Sequence, residues 1–254
     1  LQLSSGRLTL SKMSTLPLEL RPQTESEAYH IQDALHEILT DKKNDNIIGH
    51  KIGCTTSVMQ KYLGINNPCA GGIFHSETHK LSGSLEFDQF LRPGVECEIA
   101  VRLSDDLSPQ KVPYNIESVT SHVESVMAAI EIVDDRWLNY ELVDTPTLIS
   151  DDFFAAGCVL GKEITDWKSL DLSAINGEMS VNGKRVGTGK GLDIMGHPFE
   201  ALAWIANSPT ARVGKIRSGD FILLGSLVKT YWVERGDKVV IKQSTLGEVD
   251  VEFI

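Results

Sequence analysis

Across residues 95–103 apolar and polar positions alternate, with Val95, Cys97, Ile99, Val101 and Leu103 on one side and Glu96, Glu98, Ala100 and Arg102 on the other. A period of two is the signature of a β-strand, whose successive side chains project to opposite faces. Shorter apolar runs predict strands at 47–53, 129–133, 221–224, 238–243 and 248–253. Asn182-Gly183, between Val181 and Lys184, is a hairpin signal, because a tight two-residue turn needs positive φ at both positions.

Helical spacing is found in four stretches. Over 26–40, Ala28, Ile31, Ala34, Leu35, Ile38 and Leu39 recur every three or four residues, with Ser26 available as a cap. Residues 57–63 predict a short helix closed by Gly64, which suits the left-handed end of a helix. A third helix is expected over 116–129, running into the strand at 129–133. Pro198 opens a fourth over 198–206, where its missing N–H costs nothing in the first turn and His197 falls at the cap. The Gly- and Pro-bearing stretch 66–74 reads as a connection.

The second half is mainly β, and helices and strands do not alternate as in a nucleotide-binding or barrel fold. The expected class is α+β with a large, curved mixed sheet. Met13 opens a plausible start, so residues 1–12 are set apart as a leader or processed extension, 13–46 as an N-terminal helical region and 47–254 as the metal-binding catalytic domain.

Charge narrows the function. A formal net charge of −11 over 254 residues gives a field that repels nucleic acid and anionic membranes. No apolar run approaches the roughly 20 residues needed to span a bilayer, which predicts a soluble, cytoplasmic protein. Cys54, Cys69, Cys97 and Cys158 show no Cys-x-x-Cys spacing and are expected as reduced thiols.

Glu96 and Glu98 lie two apart on the alternating strand, so both carboxylates project from one face, their Cα atoms roughly 6–7 Å apart. They read either as the solvent face of a half-buried strand or as two ligands for one cation. Glu131, flanked by Ile130 and Ile132, needs compensation, because an unpaired buried charge costs several kcal/mol. Lys51 or Arg136 could pair with it; alternatively the three carboxylates, with no His or Cys ligand pattern nearby, suit a hard cation such as Mg²⁺ or Mn²⁺.

Lys51, in the run Ile48-Gly49-His50-Lys51-Ile52-Gly53, reads either as an ammonium for a substrate carboxylate and proton transfer or as a lysine snorkelling from a strand edge. His50 faces the other way and reads as structural. Asp151 and Asp152 precede Phe153-Phe154 and divide between a general base and a turn or cap, and Asp134, Asp135 and Arg136 between metal support and a surface ion pair. Thr188-Gly189-Lys190-Gly191 offers backbone N–H groups to an anion without the spacing of a phosphate loop.

Taken in order, Gly49-His50-Lys51-Ile52-Gly53-Cys54-Thr55, Gln60 to Gly64, Pro93 to Ala100, Ala129 to Arg136, Gly189-Lys190-Gly191 with Gly196-His197-Pro198, and Gly219 to Gly225 resemble the hydratase/decarboxylase family of the fumarylacetoacetate hydrolase superfamily. The resemblance runs from about Ile47 to the C-terminus. It implies a fumarylacetoacetate hydrolase C-terminal-like β-sheet roll, an oligomeric enzyme and a Mg²⁺ or Mn²⁺ cofactor on Glu96, Glu98 and Glu131. It also implies Lys51 and Asp151 as catalytic groups, with Gly72, Phe74, Thr188 and Gly189 at the substrate.

The implied reaction is hydration of a 2-hydroxy-2,4-dienoate to a 4-hydroxy-2-oxo acid, with decarboxylation, acylpyruvate hydrolysis or a non-catalytic partner role as alternatives. Two stretches depart from the family pattern. Pro68-Cys69-Ala70-Gly71 replaces Pro-Asp-aromatic-Gly, and Asp151-Asp152-Phe153-Phe154-Ala155 replaces an Ala-Asp-Asn-Ala-Ser-like run, making a bulkier and drier pocket.

Overall fold

The structure, a computed structural model, describes residues 1–108, 113–208 and 216–254; the side chains of Val58 and Tyr62, the latter within the Gln60 to Gly64 landmark, lie outside the described set. Its elements run α1 (Gln2–Thr9), α2 (Glu25–Lys43), β1 (Ile47–Gly53), α3 (Ser57–Leu63), β2 (Cys69–Phe74), β3 (Thr78–Lys80), β4 (Ser82–Leu85), β5 (Pro93–Leu103), α4 (Ile116–Thr120) and β6 (Val123–Asp134). There follow α5 (Thr145–Ser150), β7 (Ala155–Leu160), β8 (Asn176–Val181), β9 (Lys184–Lys190), α6 (Pro198–Asn207), β10 (Phe221–Trp232), β11 (Lys238–Gln243) and β12 (Gly247–Phe253).

The strands join in the order β2-β1-β10-β5-β6-β7-β3-β4-β12-β11-β8-β9, mostly antiparallel, with β1/β10, β3/β7 and β4/β12 parallel. A twisted sheet of this width curls. The curl brings β2 against β7, although four strands separate them in the sheet. A separate apolar core fills the resulting hollow, formed by Ile73, Ala100, Met127, Ala129, Cys158, Leu160, Phe221 and Leu223. The main core lies on the outer face of the roll, against α2, α6 and the β8/β9/β11/β12 half.

β5 is buried on both faces, which explains why its polar side is not a solvent face. Glu98 and Ala100 share the side that looks into the hollow, while Cys97 looks the other way, toward β8 and β11. β5 and β6 pair residue for residue, placing Glu96 opposite Glu131.

Several local expectations change. The helix at 116–129 ends at Thr120, and residues from Val123 onward are strand, because long pairing with β5 outweighs a helical spacing in a segment rich in Val and Ile. Helix α2 is capped by Thr24, whose hydroxyl accepts from the Glu27 N–H at 3.2 Å, rather than by Ser26, which lies inside the first turn. The 66–74 connection contains strand β2. Residues 2–9, set apart from the fold by sequence, form α1, and Arg7 reaches into the body of the protein. His197 caps α6 through Nδ1, and Asn182 and Gly183 turn the β8/β9 hairpin at φ 51° and 78°.

Candidate metal centre

Glu96, Glu98 and Glu131 each present a carboxylate oxygen, and the three oxygens lie within 4.8 Å of one another. Glu98 and Glu131 are 1% exposed; Glu96 is half-buried and marks the open side of the cluster. The Gly225 N–H donates to Glu98 Oε2 at 2.6 Å, and the Thr230 hydroxyl donates to Glu96. Glu98 Oε1 is buried with no hydrogen-bond donor. A buried, unsatisfied carboxylate oxygen facing two further carboxylates fits a divalent cation with a preference for hard oxygen ligands.

Lys51 supplies the positive charge. Its Nζ lies 3.0 Å from Glu131 Oε1 and donates to the Phe153 carbonyl at 2.8 Å. β1 is an inner strand and Lys51 is 3% exposed, so the snorkelling alternative fails. β10 and β5 separate β1 from β6 in the sheet, so only the curl lets this pair form. Arg136, the other candidate partner for Glu131, bonds Asp151 instead.

Burial pushes Glu131 up to about 7, its Lys51 partner opposing and Glu96 adding to the rise. Glu98 is raised well above the carboxylate range by burial and then by Glu131 and Glu96, against the pull of the Gly225 N–H. Burial alone would lower the Lys51 ammonium, but the attraction of Glu131 and Glu96 outweighs it and holds Lys51 above its ordinary range.

These raised carboxylates set a sign for stability. A group whose folded value exceeds its unfolded one stabilises the fold below the unfolded value and loses that contribution as pH rises through the folded one. For Glu131 the window runs from 4.5 to about 7. Metal-free protein therefore loses on the order of 2–3 kcal/mol between pH 4.5 and 8, and saturating Mg²⁺ reduces the slope. Urea unfolding with a chelator at several pH values checks this; stability that climbs with pH across the window contradicts it.

The remaining sequence candidates separate from this cluster. Asp151 is held by two arginines, Oδ1 lying 3.3 Å from Arg7 Nε and Oδ2 accepting from Arg136 Nε at 3.0 Å. Gly72 and Phe74 lie on the α2 side of β2: the Gly72 N–H donates to Asp152 at 2.9 Å, and the Phe74 ring meets His36 edge-on. Asp134 accepts from the Leu91 and Arg92 N–H groups and Asp135 from Arg92 and Trp137, organising the entry to β5. His50 lies 3.7 Å from Asp220.

Thr188 is exposed, and Gly189 backs onto β10 so closely that a Cβ would stand 1.8 Å from the Leu227 carbonyl oxygen. The neighbouring Gly177 meets Cys97, on the face of β5 opposite Glu98. Gly189 is thus explained by backbone packing, with no part in the carboxylate cluster. Gly189→Ala is expected to destabilise the protein by about 2 kcal/mol or more, read by urea unfolding, because the contact is with backbone and cannot swing aside.

Three groups at the centre carried no chemical signal of their own in the sequence: the Gly225 N–H, the Thr230 hydroxyl and the Phe153 carbonyl. Gly225 has φ 131°, and a Cβ there would come 2.5 Å from Thr55 Oγ1. That conformation aims its N–H at Glu98, which residue type alone does not reveal.

In the hollow of a mixed β-roll, three glutamates and a lysine converge in an arrangement whose carboxylates could hold a divalent cation. The chain belongs to the fumarylacetoacetate hydrolase family, whose C-terminal domain pattern matches residues 77–253. It is 34% identical over 233 residues to a 2-hydroxyhexa-2,4-dienoate hydratase of Comamonas testosteroni, covering 91% of this chain and 86% of the relative. A 4-oxalocrotonate decarboxylase of Pseudomonas putida is 26% identical over 231 residues, covering 91% and 86% respectively.

Among solved structures, 4-oxalocrotonate decarboxylase from Pseudomonas putida G7, complexed with magnesium and adipate, superposes with a TM-score of 0.91 at 22% identity, over 99% of this chain and 94% of that one. Fumarylpyruvate hydrolase from Pseudomonas aeruginosa, in complex with Mn²⁺ and pyruvate, gives 0.64 at 13% identity, over 81% and 88%. The family and the expected roll are thereby established.

Proposed function

We propose that this chain is a metal-dependent hydro-lyase that adds water to a 2-hydroxy-2,4-dienoate, through its 2-oxo-4-enoate form, to give a 4-hydroxy-2-oxo acid. The observation that carries it is the buried Lys51 ammonium 3.0 Å from Glu131, inside a three-carboxylate cluster. Glu96, Glu98 and Glu131 would hold a divalent cation such as Mg²⁺ or Mn²⁺, which would supply Lewis-acid stabilisation of enolate charge on the bound acid.

Lys51 has three N–H donors, of which Phe153 and Glu131 take two. The third is left for the substrate. Because its charged form is favoured, Lys51 acts first as a cationic donor and proton source: a carbon of the dienol takes a proton from the ammonium while the enol O–H gives one up to solvent, and the resulting oxo-enoate accepts water across its remaining double bond. Asp151 is assigned instead to holding Arg7 and Arg136, since both of its oxygens are turned to arginines.

Apolar residues flank the centre. Phe153 has its ring centroid 5.4 Å from Lys51 Nζ, and Ile73, Met127, Phe221 and Leu223 fill the hollow beyond. The similarity to the hexadienoate hydratase supports a substrate with a short alkyl tail over one with a second carboxylate. The overall likeness to the decarboxylase supports a second reading, release of CO₂ from a 2-oxo-enedioate at the same centre.

The deciding experiment gives purified protein with Mg²⁺ or Mn²⁺ either 2-hydroxypenta-2,4-dienoate or 2-oxohex-3-enedioate. Loss of the diene absorbance with formation of a 4-hydroxy-2-oxo acid supports hydration; CO₂ from the diacid supports the second reading. Metal binding without turnover of either ends both and leaves the partner-subunit role.

A further inference from the structure

We infer that Arg7, His36 and Asp152 form a positioning device that holds the Phe153 carbonyl on Lys51, so that α1 and α2 tune the centre from outside the roll. This deepens the proposed reaction and rests on it. Asp152, Phe153 and Phe154 have φ values of 57°, 47° and 69°. Three successive left-handed residues, none of them glycine, are sterically disfavoured and persist only where the surroundings impose them.

The surroundings here are specific. Asp152 is fully buried; its Oδ1 accepts from the Gly72 N–H at 2.9 Å and lies 2.6 Å from His36 Nε2, while its Oδ2 accepts from Arg7 Nη1 at 2.9 Å. Arg7 Nη2 donates to the Ala155 carbonyl at 2.8 Å, clamping the far end of the turn. Burial would raise the Asp152 carboxyl, but His36 and Arg7 outweigh it and hold it well below the carboxylate range.

The consequence of the turn is the direction of one carbonyl. Phe153 O points into the hollow and accepts from Lys51 Nζ at 2.8 Å, and this contact together with Glu131 fixes where the ammonium stands. The anchors come from α1, α2 and β2, so the device is assembled only when residues outside the roll dock on it. None of the three anchoring groups touches the carboxylate cluster; they act through Phe153.

Arg7→Ala tests this. Arg7 lines a cavity of about 460 Å³ through which small cations can reach the vacated position. The variant is expected to lose about tenfold or more in kcat on 2-hydroxypenta-2,4-dienoate, with KM within about twofold and Mg²⁺ affinity unchanged. Millimolar guanidinium chloride, but not sodium chloride, should restore kcat. Deuterium uptake over residues 150–156 should quicken while that over 238–253 stays as in the parent.

A loss arising from general destabilisation would worsen in guanidinium, and that outcome overturns the inference, as does a kcat within twofold of the parent. Asp152→Asn, which presents an amide N–H to Arg7, should show the same kcat loss without guanidinium recovery; it carries the test should Arg7→Ala fail to fold. A parent protein inert on the dienoate, with quickened exchange in the variant, retires the reaction and keeps the anchoring. Unchanged exchange retires the anchoring whatever the reaction.

Discussion

Glu98→Gln is expected to lower turnover by about a hundredfold or more and, at the same time, to raise the thermal midpoint of the metal-free protein. Glu98 is buried, its Oε1 meets no donor, and Glu131 and Glu96 both push its charge upward in energy. In the absence of a cation this is a cost to the fold. A neutral amide needs no proton taken up to sit beside the other two carboxylates, for a gain of about 1 kcal/mol or about 2–4 °C in a domain of this size. The same change removes an anionic ligand, and a Lewis acid worth several kcal/mol corresponds to two or more decades in rate. Calorimetry with and without Mg²⁺, beside a steady-state assay, reads both effects. A variant less stable than the parent without metal, or one with parental turnover, would sink the assignment of Glu98 as a ligand.

Lys51→Met should move stability the other way. Its loss leaves Glu131 without its only ion-pair partner among the described residues, and breaking a buried pair from one side costs about 3–5 kcal/mol. Protonation of Glu131, already pushed up to about 7, pulls the cost toward the lower end near neutral pH. Turnover falls by about 10²–10³, the scale for removing a preorganised donor from a developing oxyanion. Metal affinity should hold or rise, because an ammonium competing for Glu131 is gone. Titration calorimetry with Mn²⁺ separates this from Glu98→Gln; if Lys51→Met also abolishes metal binding, the lysine is a scaffold for the carboxylates.

Much of the sheet and part of the centre were legible from residue order. Alternation over 95–103 identifies β5 and puts Glu96 and Glu98 on one face, and the apolar flanks of Glu131 announce a buried charge. These are local properties: side-chain period and burial cost act on a few residues at a time. The β6 segment shows the limit, since residues 123–128 carry a spacing compatible with a helix and become strand because β5 pairs along them. The cap of α2 shows it too: Ser26 is a competent cap by residue type, and the structure starts the helix two residues earlier, on Thr24.

The residues assigned to substrate by resemblance illustrate the other limit. Gly72 and Phe74 lie on β2 with contacts toward α2, Gly189 lies on β9 against β10, and Thr188 on β9 is exposed. Which side of a strand faces inward is set by register, and nothing local records it. The glutamates and Lys51 escape this because a buried charge has few places to go: it must meet an opposite charge, a donor or a cation.

What the chain alone determined, then, is which charged side chains sit in apolar runs and need company there, Glu131 and Lys51, and that Glu96 and Glu98 share one strand face. The tertiary structure decided what that company is, by curling a twelve-stranded sheet until β1 reached β6 and by turning the Phe153 carbonyl inward through a left-handed turn held by Arg7, His36 and Gly72. Charge and burial preference belong to residues, whereas the meeting of groups 80 or more positions apart, as for Lys51 and Glu131, depends on curvature and register summed over the whole sheet.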